Sequence, residues 1–319
     1  MHPMIEQRTA PTEVGVALGG GAARGVAHVG ALKAVEAAGL GVAGVAGTSY
    51  GAVIAALYAL GAHGLELERI VRTQDLTELW LQGVDFGLHE GALVSGKRLA
   101  RWLDRKFFMG ATFDDVRLPL AIACTDLRSG RLRVLRSGSI AEAVRASCAL
   151  PGVFAPVRLG GEVLIDGGLV ETVPFKALST LDVPVMIGVY AGMDVEGSRF
   201  VGAVRRFAAS PAGRAHYRRT GRVAPDGPLR QVARGLAISA RSYSRPVRVP
   251  RGAHLVTVDP GVAWWDFHRS PRSVAAGQRA MSALLDGLMD RGLLRSSGTR
   301  ERRDAGSSVR ADGREAAGS

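Results

Sequence analysis

Residues 14–60 read VGVALGGGAARGVAHVGALKAVEAAGLGVAGVAGTSYGAVIAALYAL, and this stretch decides the fold. It opens with a short apolar run, Val14–Leu18, of the kind that forms a buried strand. After a glycine loop, apolar residues recur roughly every third position over Val26–Ala38, which predicts a helix. A second apolar run, Val42–Ala46, leads through a glycine-bounded turn into another apolar helix, Ala52–Leu60. This order predicts a right-handed parallel unit at the start of an α/β domain.

The composition agrees with a globular α/β chain, since 47% of the residues are apolar and 22% are charged. The 42 glycines suit tight strand–helix turns better than a β-sandwich. The start lacks the apolar core of a secretory signal, and no uncharged apolar run reaches the length of a membrane span. We therefore expect a soluble, cytoplasmic protein that is at most peripheral to the membrane. Cys124 and Cys148 lie in apolar stretches and are expected to be buried thiols rather than metal ligands or a disulfide.

The pattern beyond residue 60 predicts the remaining elements of one large domain. Helices are expected at Arg98–Phe108, Ile140–Ala149 and Val274–Met289, and strands at Leu118–Cys124, Leu132–Leu135, Val163–Ile165, Val183–Tyr190 and His254–Val258. We expect a flexible leader over residues 1–12, an α/β domain over 13–292, and a disordered tail rich in Ser, Gly, Arg, Asp and Ala over 293–319.

The positive charge is concentrated in one segment, residues 199–251. This segment contains thirteen arginines and a single acid, so it accounts for the whole formal net charge of +12. Part of it has helical spacing, with Arg230, Arg234, Arg241 and Arg245 on one side and apolar residues opposite. It could be a solvated scaffold helix, a lid, or a contact with an anionic membrane. Nucleic-acid binding has no recognition motif to support it.

The turn G-T-S-Y-G, Gly47 to Gly51, matches the G-x-S-x-G pattern of a nucleophilic serine. Its glycines permit a sharp turn that exposes the Ser49 hydroxyl at the N-terminus of a helix, where a developing anion is favoured. The motif alone is weak in a glycine-rich chain. Its position between a predicted strand and a predicted helix favours a nucleophile over a plain turn.

The loop G-G-G-A-A-R-G, Gly19 to Gly25, could bind phosphate or present N–H groups as an oxyanion hole. The dinucleotide spacing G-x-G-x-x-G is not met, because Arg24 stands where the third glycine belongs, and no G-K-[ST] ending is present. Nucleotide binding is therefore the weakest of the functions considered. Arg24 could order the turn by donating to carbonyl groups.

The motif D-G-G, Asp166 to Gly168, follows a predicted strand. An acid in this position is well placed to face a cleft at the carboxyl ends of the strands, although an aspartate that caps a turn is the plain alternative. In an α/β-hydrolase, Ser49 and Asp166 would be completed by His254 or His268. Here only one strand precedes the elbow, which argues against that fold and leaves a serine–aspartate dyad open. The remaining histidines lie in no motif and are expected on helices or at the surface; they are His28, His63, His89 and His216.

In chain order, these motifs resemble the patatin-like phospholipases, in particular the bacterial branch related to neuropathy target esterase. The matching blocks are VGVALGGGAARGVAHVGALKAVE, AGTSYGA, ACTDLRSG, AVRASCALPGVFAPV and LIDGGLVETVP, with a weaker match at VDPG and WDFHR. The resemblance implies a three-layer α/β/α fold with a central, mostly parallel sheet. It also implies a hydrolase of lipid or lysophospholipid esters that needs no metal or other cofactor, and we expect no nucleic-acid partner because no recognition motif is present.

The same resemblance implies the roles of the site residues. Ser49 would attack the ester carbonyl, and Asp166 would take its proton and later activate water. The oxyanion hole would be formed by Gly20, Gly21 and Ala22. The supporting residues would be Gly19, Arg24, Gly25, Gly47, Gly51, Gly167 and Gly168. Ala22 stands where the commonest family loop has glycine, so close approach of the substrate is in question there. The alternative is a catalytically weak protein that binds lipids in the same cleft for regulation.

Overall fold

The computed structural model describes residues 10–73, 86–89, 92–151, 153–192, 246–263 and 266–297. The strands are β1 (Glu13–Leu18), β2 (Gly41–Thr48), β3 (Phe86–His89), β4 (Ala92–Val94), β5 (Leu120–Asp126), β6 (Leu132–Leu135), β7 (Val157–Leu159), β8 (Glu162–Asp166), β9 (Met186–Tyr190) and β10 (His254–Thr257). The α-helices are α1 (Ala27–Ala37), α2 (Tyr50–Ala59), α3 (Gly64–Thr73), α4 (Lys97–Leu103), α5 (Ile140–Ser147), α6 (Phe175–Leu178) and α7 (Ser270–Asp290).

One mixed sheet forms the middle of the domain, with the strand order β10-β9-β1-β2-β5-β8-β7 and with β6 also paired to β5. The strands from β10 to β5 pair in parallel, as the repeated strand–helix pattern predicts. The pairs of β5 with β6 and β8, and of β7 with β8, are antiparallel. The expected mostly parallel sheet is therefore confirmed, with an antiparallel part on the side of β8.

Side chains alternate across this sheet and separate the two helical layers. On β5, Leu120, Ile122 and Cys124 join the larger core cluster under α1, α2, α5 and α7, whereas Ala121 and Ala123 face the other layer. Small residues line that second face, and the ring of Phe175 in α6 packs so close that a Cβ added at Gly188 would lie 2.3 Å from it. The arrangement is the three-layer α/β/α fold expected from the sequence.

Several boundaries differ from the sequence-based prediction. The helix expected from Val26 begins as a 3-10 turn at Ala22–Val26 and becomes α1 only at Ala27. The helix expected over Arg98–Phe108 is α4 followed by a π-helical turn. The strand expected from Val183 starts at Met186, after Pro184, which has no N–H to donate to a ladder. The sequence pattern missed α3, β3, β4, β7 and α6 altogether.

Described residues on the outer side of the expected boundaries at residues 12 and 293 also contact the domain. Leu294 is buried, the Arg295 N–H donates to the Pro11 carbonyl over 3.1 Å, and the Ser297 N–H donates to the Gly39 carbonyl over 3.0 Å. These backbone bonds tie both ends of the described chain to the domain. Residues 1–9 and 298–319 lie outside the described residues, and so do residues 199–245 of the arginine-rich segment. Among the described residues, no helix has the length and apolar character needed to cross a bilayer.

The layer over β1 depends on a close crossing of α1 and α7. A Cβ atom added at Gly30 would lie 1.8 Å from the Val274 carbonyl oxygen, and one added at Gly277 would lie 1.9 Å from the Ala27 carbonyl oxygen. The two helix backbones therefore touch directly, which only glycine permits at these two positions.

We expect Gly30→Ala and Gly277→Ala each to lower the free energy of unfolding by about 1–3 kcal/mol or more, since the helices must separate to admit a methyl group. Gly287→Ala, in the same α7, is the matched control because a Cβ there meets nothing within 4 Å. That control should raise the free energy of unfolding by up to about 1 kcal/mol through helix propensity. Urea denaturation measures all three, and equal effects would contradict the close crossing.

Candidate active site

Ser49 occupies a strained turn between β2 and α2. Its backbone has φ 53° and ψ −125°, a conformation that non-glycine residues rarely adopt and that costs on the order of 1–3 kcal/mol. The two flanking glycines make the turn possible. A Cβ at Gly47 would lie 2.4 Å from the Cα of Ala52, and one at Gly51 would lie 2.2 Å from the Leu18 carbonyl oxygen. The G-x-S-x-G motif therefore forms the sharp elbow that its spacing predicts.

Strand β5 brings this elbow to Asp166. Thr48, the last residue of β2, is opposite Ala123, and Asp166, the last residue of β8, is opposite the next residue, Cys124. Strand β2 runs parallel to β5 and β8 runs antiparallel to it, while β6 holds the other edge of β5. The carboxyl ends of β2 and β8 consequently meet head to head, which places Ser49 beside Asp166.

The carboxyl group of Asp166 is buried, with 6% of the residue exposed. Its Oδ1 accepts the Gly168 N–H over 2.8 Å. Burial raises the pKa of Asp166 to about 6, because the charged form loses hydration, and the Gly168 N–H and the Ser49 hydroxyl partly oppose this rise. The Ser49 hydroxyl thus interacts with the carboxylate, although it makes no hydrogen bond of ordinary length and angle to a described residue.

The glycine loop passes directly over the elbow. A Cβ at Gly20 would lie 3.6 Å from the Ser49 Cβ, so the loop backbone is within reach of a group bound at the serine. The Gly20 N–H donates to the Thr172 carbonyl over 3.0 Å, which occupies it. Within the described part of the chain, the N–H groups of Gly21 and Ala22 have no hydrogen-bond acceptor. Ala22 itself has φ 47°, a left-handed conformation that aims its peptide differently from a helical residue.

Two side chains, one from the loop itself and one from α1, hold the loop in place. Arg24 is buried; its Nε donates to the Ala191 carbonyl over 3.1 Å, and its guanidinium pairs with Asp259 over 2.7 Å. His28 is fully buried and its Nε2 lies 2.7 Å from the Gly19 carbonyl oxygen. Burial lowers the pKa of His28 to about 4, so the ring is neutral and carries its proton on Nε2 to donate to that carbonyl.

The remaining supporting glycines also lie at the site. Gly25 packs against the ring of Tyr50, where an added Cβ would lie 2.8 Å from Cδ1. Gly167 packs against the Ala123 carbonyl oxygen, where an added Cβ would lie 2.2 Å away. Gly19 and Gly168 contribute the carbonyl and the N–H described above. The structure therefore brings all of the sequence-predicted site residues together.

Of the two candidate triad histidines, His254 stands apart from Ser49 and Asp166. Through the strand register, His254 lies level with Val45 and three strands away from β2, or about 14 Å at ordinary strand spacing. His268 is exposed. It follows Phe267, whose ring centroid lies 5.9 Å from the ring centroid of Tyr50. Burial raises the pKa of Asp166, hydrogen bonds from Gly168 and Ser49 oppose the rise, and no histidine of the described chain is among these causes.

Sequence reasoning missed four residues that contact the site. His28 was expected to be an ordinary helix or surface histidine, and Asp259 was noted only within the weaker V-D-P-G match. Ser147 and Cys148 lie in the block AVRASCALP, which matches the family but contains no residue with a predicted role. A polar or ionisable residue in an otherwise apolar block was the available signal, since buried polar groups require partners.

A parallel sheet that ends in a serine elbow beside a buried carboxylate and a glycine loop defines an α/β protein of the hydrolase kind. The family model of the patatin-like phospholipases matches residues 16–179, just over half of the chain. The chain belongs to this family.

Relatives of known sequence agree with that assignment. The chain is 30% identical over 190 residues to "Lysophospholipase NTE1" of Coccidioides immitis, covering 59% of this chain and 12% of the relative. It is 31% identical over 187 residues to mouse "Patatin-like phospholipase domain-containing protein 6", covering 57% and 14%. An uncharacterized NTE family protein of Mycobacterium tuberculosis is 29% identical over 178 residues, covering 55% and 48%. The chain thus spans less than half the length of each of these relatives.

A solved structure agrees with the fold. The crystal structure of VipD from Legionella pneumophila superimposes with a TM-score of 0.52 at 17% sequence identity, covering 88% of this chain and 68% of that one. At this level of identity the likeness concerns the fold alone.

The buried carboxylate makes the stability of the fold depend on pH. The folded-state pKa of Asp166 is about 6, above its ordinary value of 3.8, so the fold favours the protonated form. The stability contributed by this group is fully present below about pH 4 and is lost as the pH rises through about 6, by about 3 kcal/mol in total. Asp166→Asn keeps the acceptor oxygen without the charge, and we expect it to unfold at higher urea concentration than the wild type at pH 8.

The difference between Asp166→Asn and the wild type should disappear near pH 4, where the aspartate is neutral. Asp286→Asn, at an exposed position of α7, controls for the loss of one carboxylate. A variant that is less stable than the wild type at pH 8 would contradict the burial of a charged Asp166.

Proposed function

We propose that this chain hydrolyses carboxylic ester bonds of phospholipids or lysophospholipids, with Ser49 as the nucleophile and Asp166 as the base. Family membership supports lipid ester chemistry. The site supports the dyad through one observation: the elbow hydroxyl lies beside a single buried carboxylate whose pKa is raised to about 6, under a glycine loop with unpaired N–H groups. A carboxylate of this pKa is a stronger base than an exposed aspartate and is still ionised at neutral pH.

The reaction would proceed in two halves. The Ser49 oxygen attacks the ester carbonyl carbon while its proton passes to the Asp166 carboxylate. The tetrahedral intermediate collapses, the C–O bond to the alcohol breaks, and Asp166 returns the proton to the leaving alcohol oxygen. A water molecule then attacks the acyl-serine, again giving its proton to Asp166, and the fatty acid leaves as Ser49 regains its hydroxyl proton.

The oxyanion of each intermediate would be held by the N–H groups of Gly21 and Ala22. These two donors are unpaired within the described chain, whereas the Gly20 N–H is engaged by Thr172. The N-terminus of α2 adds partial positive charge at the same place. Ala22 can act in this role because its backbone N–H is the donor, although its left-handed φ of 47° costs alanine more than glycine.

How lipid reaches the dyad is a separate question. The arginine-rich segment over 199–251 is proposed as a contact with anionic lipid surfaces, on the strength of its charge alone. Most of it lies outside the described residues, and the alternatives to a membrane contact are a lid and a solvated scaffold helix.

Ser49→Ala and Asp166→Asn should each lower kcat on a medium-chain p-nitrophenyl ester by roughly 10³-fold or more, since each removes one member of the dyad. His254→Ala and His268→Ala are the controls, and both should keep activity within about 2-fold, because a dyad needs no histidine. Loss of activity in either histidine variant would favour a triad instead. A fluorophosphonate probe should label Ser49 in the wild type; failure to label would favour the lipid-binding alternative, in which the cleft holds acyl chains without turnover.

The pKa of Asp166 predicts the pH dependence of catalysis. The base must be ionised to accept the serine proton, so kcat/KM should rise with pH through about 6 and level off above about pH 7. Initial rates between about pH 4.5 and about pH 8, read at the isosbestic wavelength of p-nitrophenol, test this. A midpoint near 4 would mean that the carboxylate is not desolvated in the working enzyme.

A further inference from the structure

The block AVRASCALP, residues 143–151, contains no member of the proposed dyad or oxyanion hole. In the structure it forms the last turn of α5 and the segment that follows directly. Three consecutive residues there, Ser147, Cys148 and Ala149, each contact a different part of the dyad. We call these three residues the strap.

Ser147 holds the backbone of the nucleophile. It is fully buried, and its Oγ accepts the Ser49 N–H over 2.8 Å. The same hydroxyl donates to the Ala123 carbonyl over 2.7 Å. Because a carbonyl can only accept, the single proton of Ser147 points to Ala123 and its lone pairs face Ser49. The direction of this two-step chain of hydrogen bonds is therefore fixed.

The other two residues of the strap reach the hydroxyl and the base. The Ala149 carbonyl accepts the Asp166 N–H over 3.0 Å. The Cys148 thiol lies beside both the Ser49 hydroxyl and the Asp166 carboxylate: the carboxylate adds to the rise that burial causes in the thiol pKa, and the hydroxyl opposes it. The strap thus contacts the backbone and side chain of one dyad member and the backbone of the other.

Strand β5 alone does not fix the peptide of Ser49. The β2 ladder on β5 ends at Thr48, and Ser49 follows it with a left-handed φ that its neighbours must maintain. The bond from the Ser49 N–H to Ser147 fixes that peptide, and the bond from Ser147 to Ala123 fixes the strap to the same strand. The strap therefore holds both dyad members in a fixed position relative to one residue of β5, Ala123.

We propose that Ser147, Cys148 and Ala149 align the dyad, with Ser147 as a positioning residue that acts through the Ser49 peptide. This inference rests on the proposed function. The proposal distinguishes the alignment of the reacting groups from the chemical step itself. Without the Ser147 hydroxyl, Ser49 and Asp166 are both present, but the serine oxygen is no longer held at one distance from the carboxylate.

The test compares Ser147→Ala with Ser273→Ala. Ser273 is a second buried serine, and its Oγ has no hydrogen-bond partner within the described chain, so its removal controls for the loss of a buried hydroxyl. Ser147→Ala should lower kcat by about 10- to 100-fold with KM changed by less than about 3-fold. The rate at which a fluorophosphonate probe labels Ser49 should fall by a similar factor. Ser273→Ala should match the wild type in both measurements.

Two more variants distinguish a loss of alignment from a folding defect. Ser147→Thr keeps the hydroxyl and should recover most of the kcat that Ser147→Ala loses. Ser147→Cys keeps the volume but is a weak acceptor, so it should stay folded with reduced kcat. All rates are measured well below the melting temperature of each variant. A Ser147→Ala or Ser147→Cys protein with wild-type kcat and labelling rate overturns the inference while leaving the proposed function intact. A wild-type chain that neither hydrolyses the ester nor takes the label overturns both.

Discussion

Two adjacent residues of one strand, Ala123 and Cys124, fix the geometry on which the rest of the site depends. They pair with Thr48 and Asp166, the last residues of two strands that approach from opposite directions. A slip of one residue in either ladder would turn the paired side chains to the other face of the sheet and separate the dyad. The antiparallel part of the sheet is thus a requirement of the site, since a purely parallel β8 would bring its amino end, not Asp166, to this position.

The site places unfavourable features beside one another and holds them with the surrounding backbone. The elbow keeps a serine in a glycine-like conformation, and the burial of Asp166 works against its charge. Neighbouring residues accommodate both features. The absence of side chains at Gly47 and Gly51 leaves room for the turn, and the Gly168 N–H donates to the Asp166 carboxylate. Strain and desolvation of this kind survive only where neighbouring contacts over-determine the structure, which is why they concentrate at functional sites.

The glycine loop is positioned from outside itself. Arg24 ties it to Ala191 after β9 and to Asp259 after β10, while His28 ties its first residue to α1. Burial keeps the His28–Gly19 and Arg24–Ala191 hydrogen bonds away from solvent, whereas the Asp259 side chain that pairs with Arg24 is 77% exposed. The loop is therefore held by contacts with residues after β9 and β10 and with α1.

Much of this could be predicted from local sequence. The apolar runs and glycine-bounded turns of residues 14–60 gave the parallel unit, the elbow and the glycine loop, because these depend on short-range periodicity and on steric limits near glycine. The dyad itself came from family resemblance, since the residues alone left a triad through His254 or His268 open. The short elements β7 and α6 were missed because three or four residues carry no periodic signal.

What only the tertiary structure decided involves contacts between distant segments. Local pattern could not show that β8 runs antiparallel and meets β2 on β5, that the Gly20 N–H is taken by Thr172, or that Ser147 binds the Ser49 peptide 98 residues away. Nor could it show that residues 293–297 close the fold against Pro11 and Gly39. The sequence by itself determined which residues can react, because that depends on side-chain chemistry and local backbone geometry. Their distance, protonation and alignment were decided by burial and long-range hydrogen bonding, which exist only once the chain has folded.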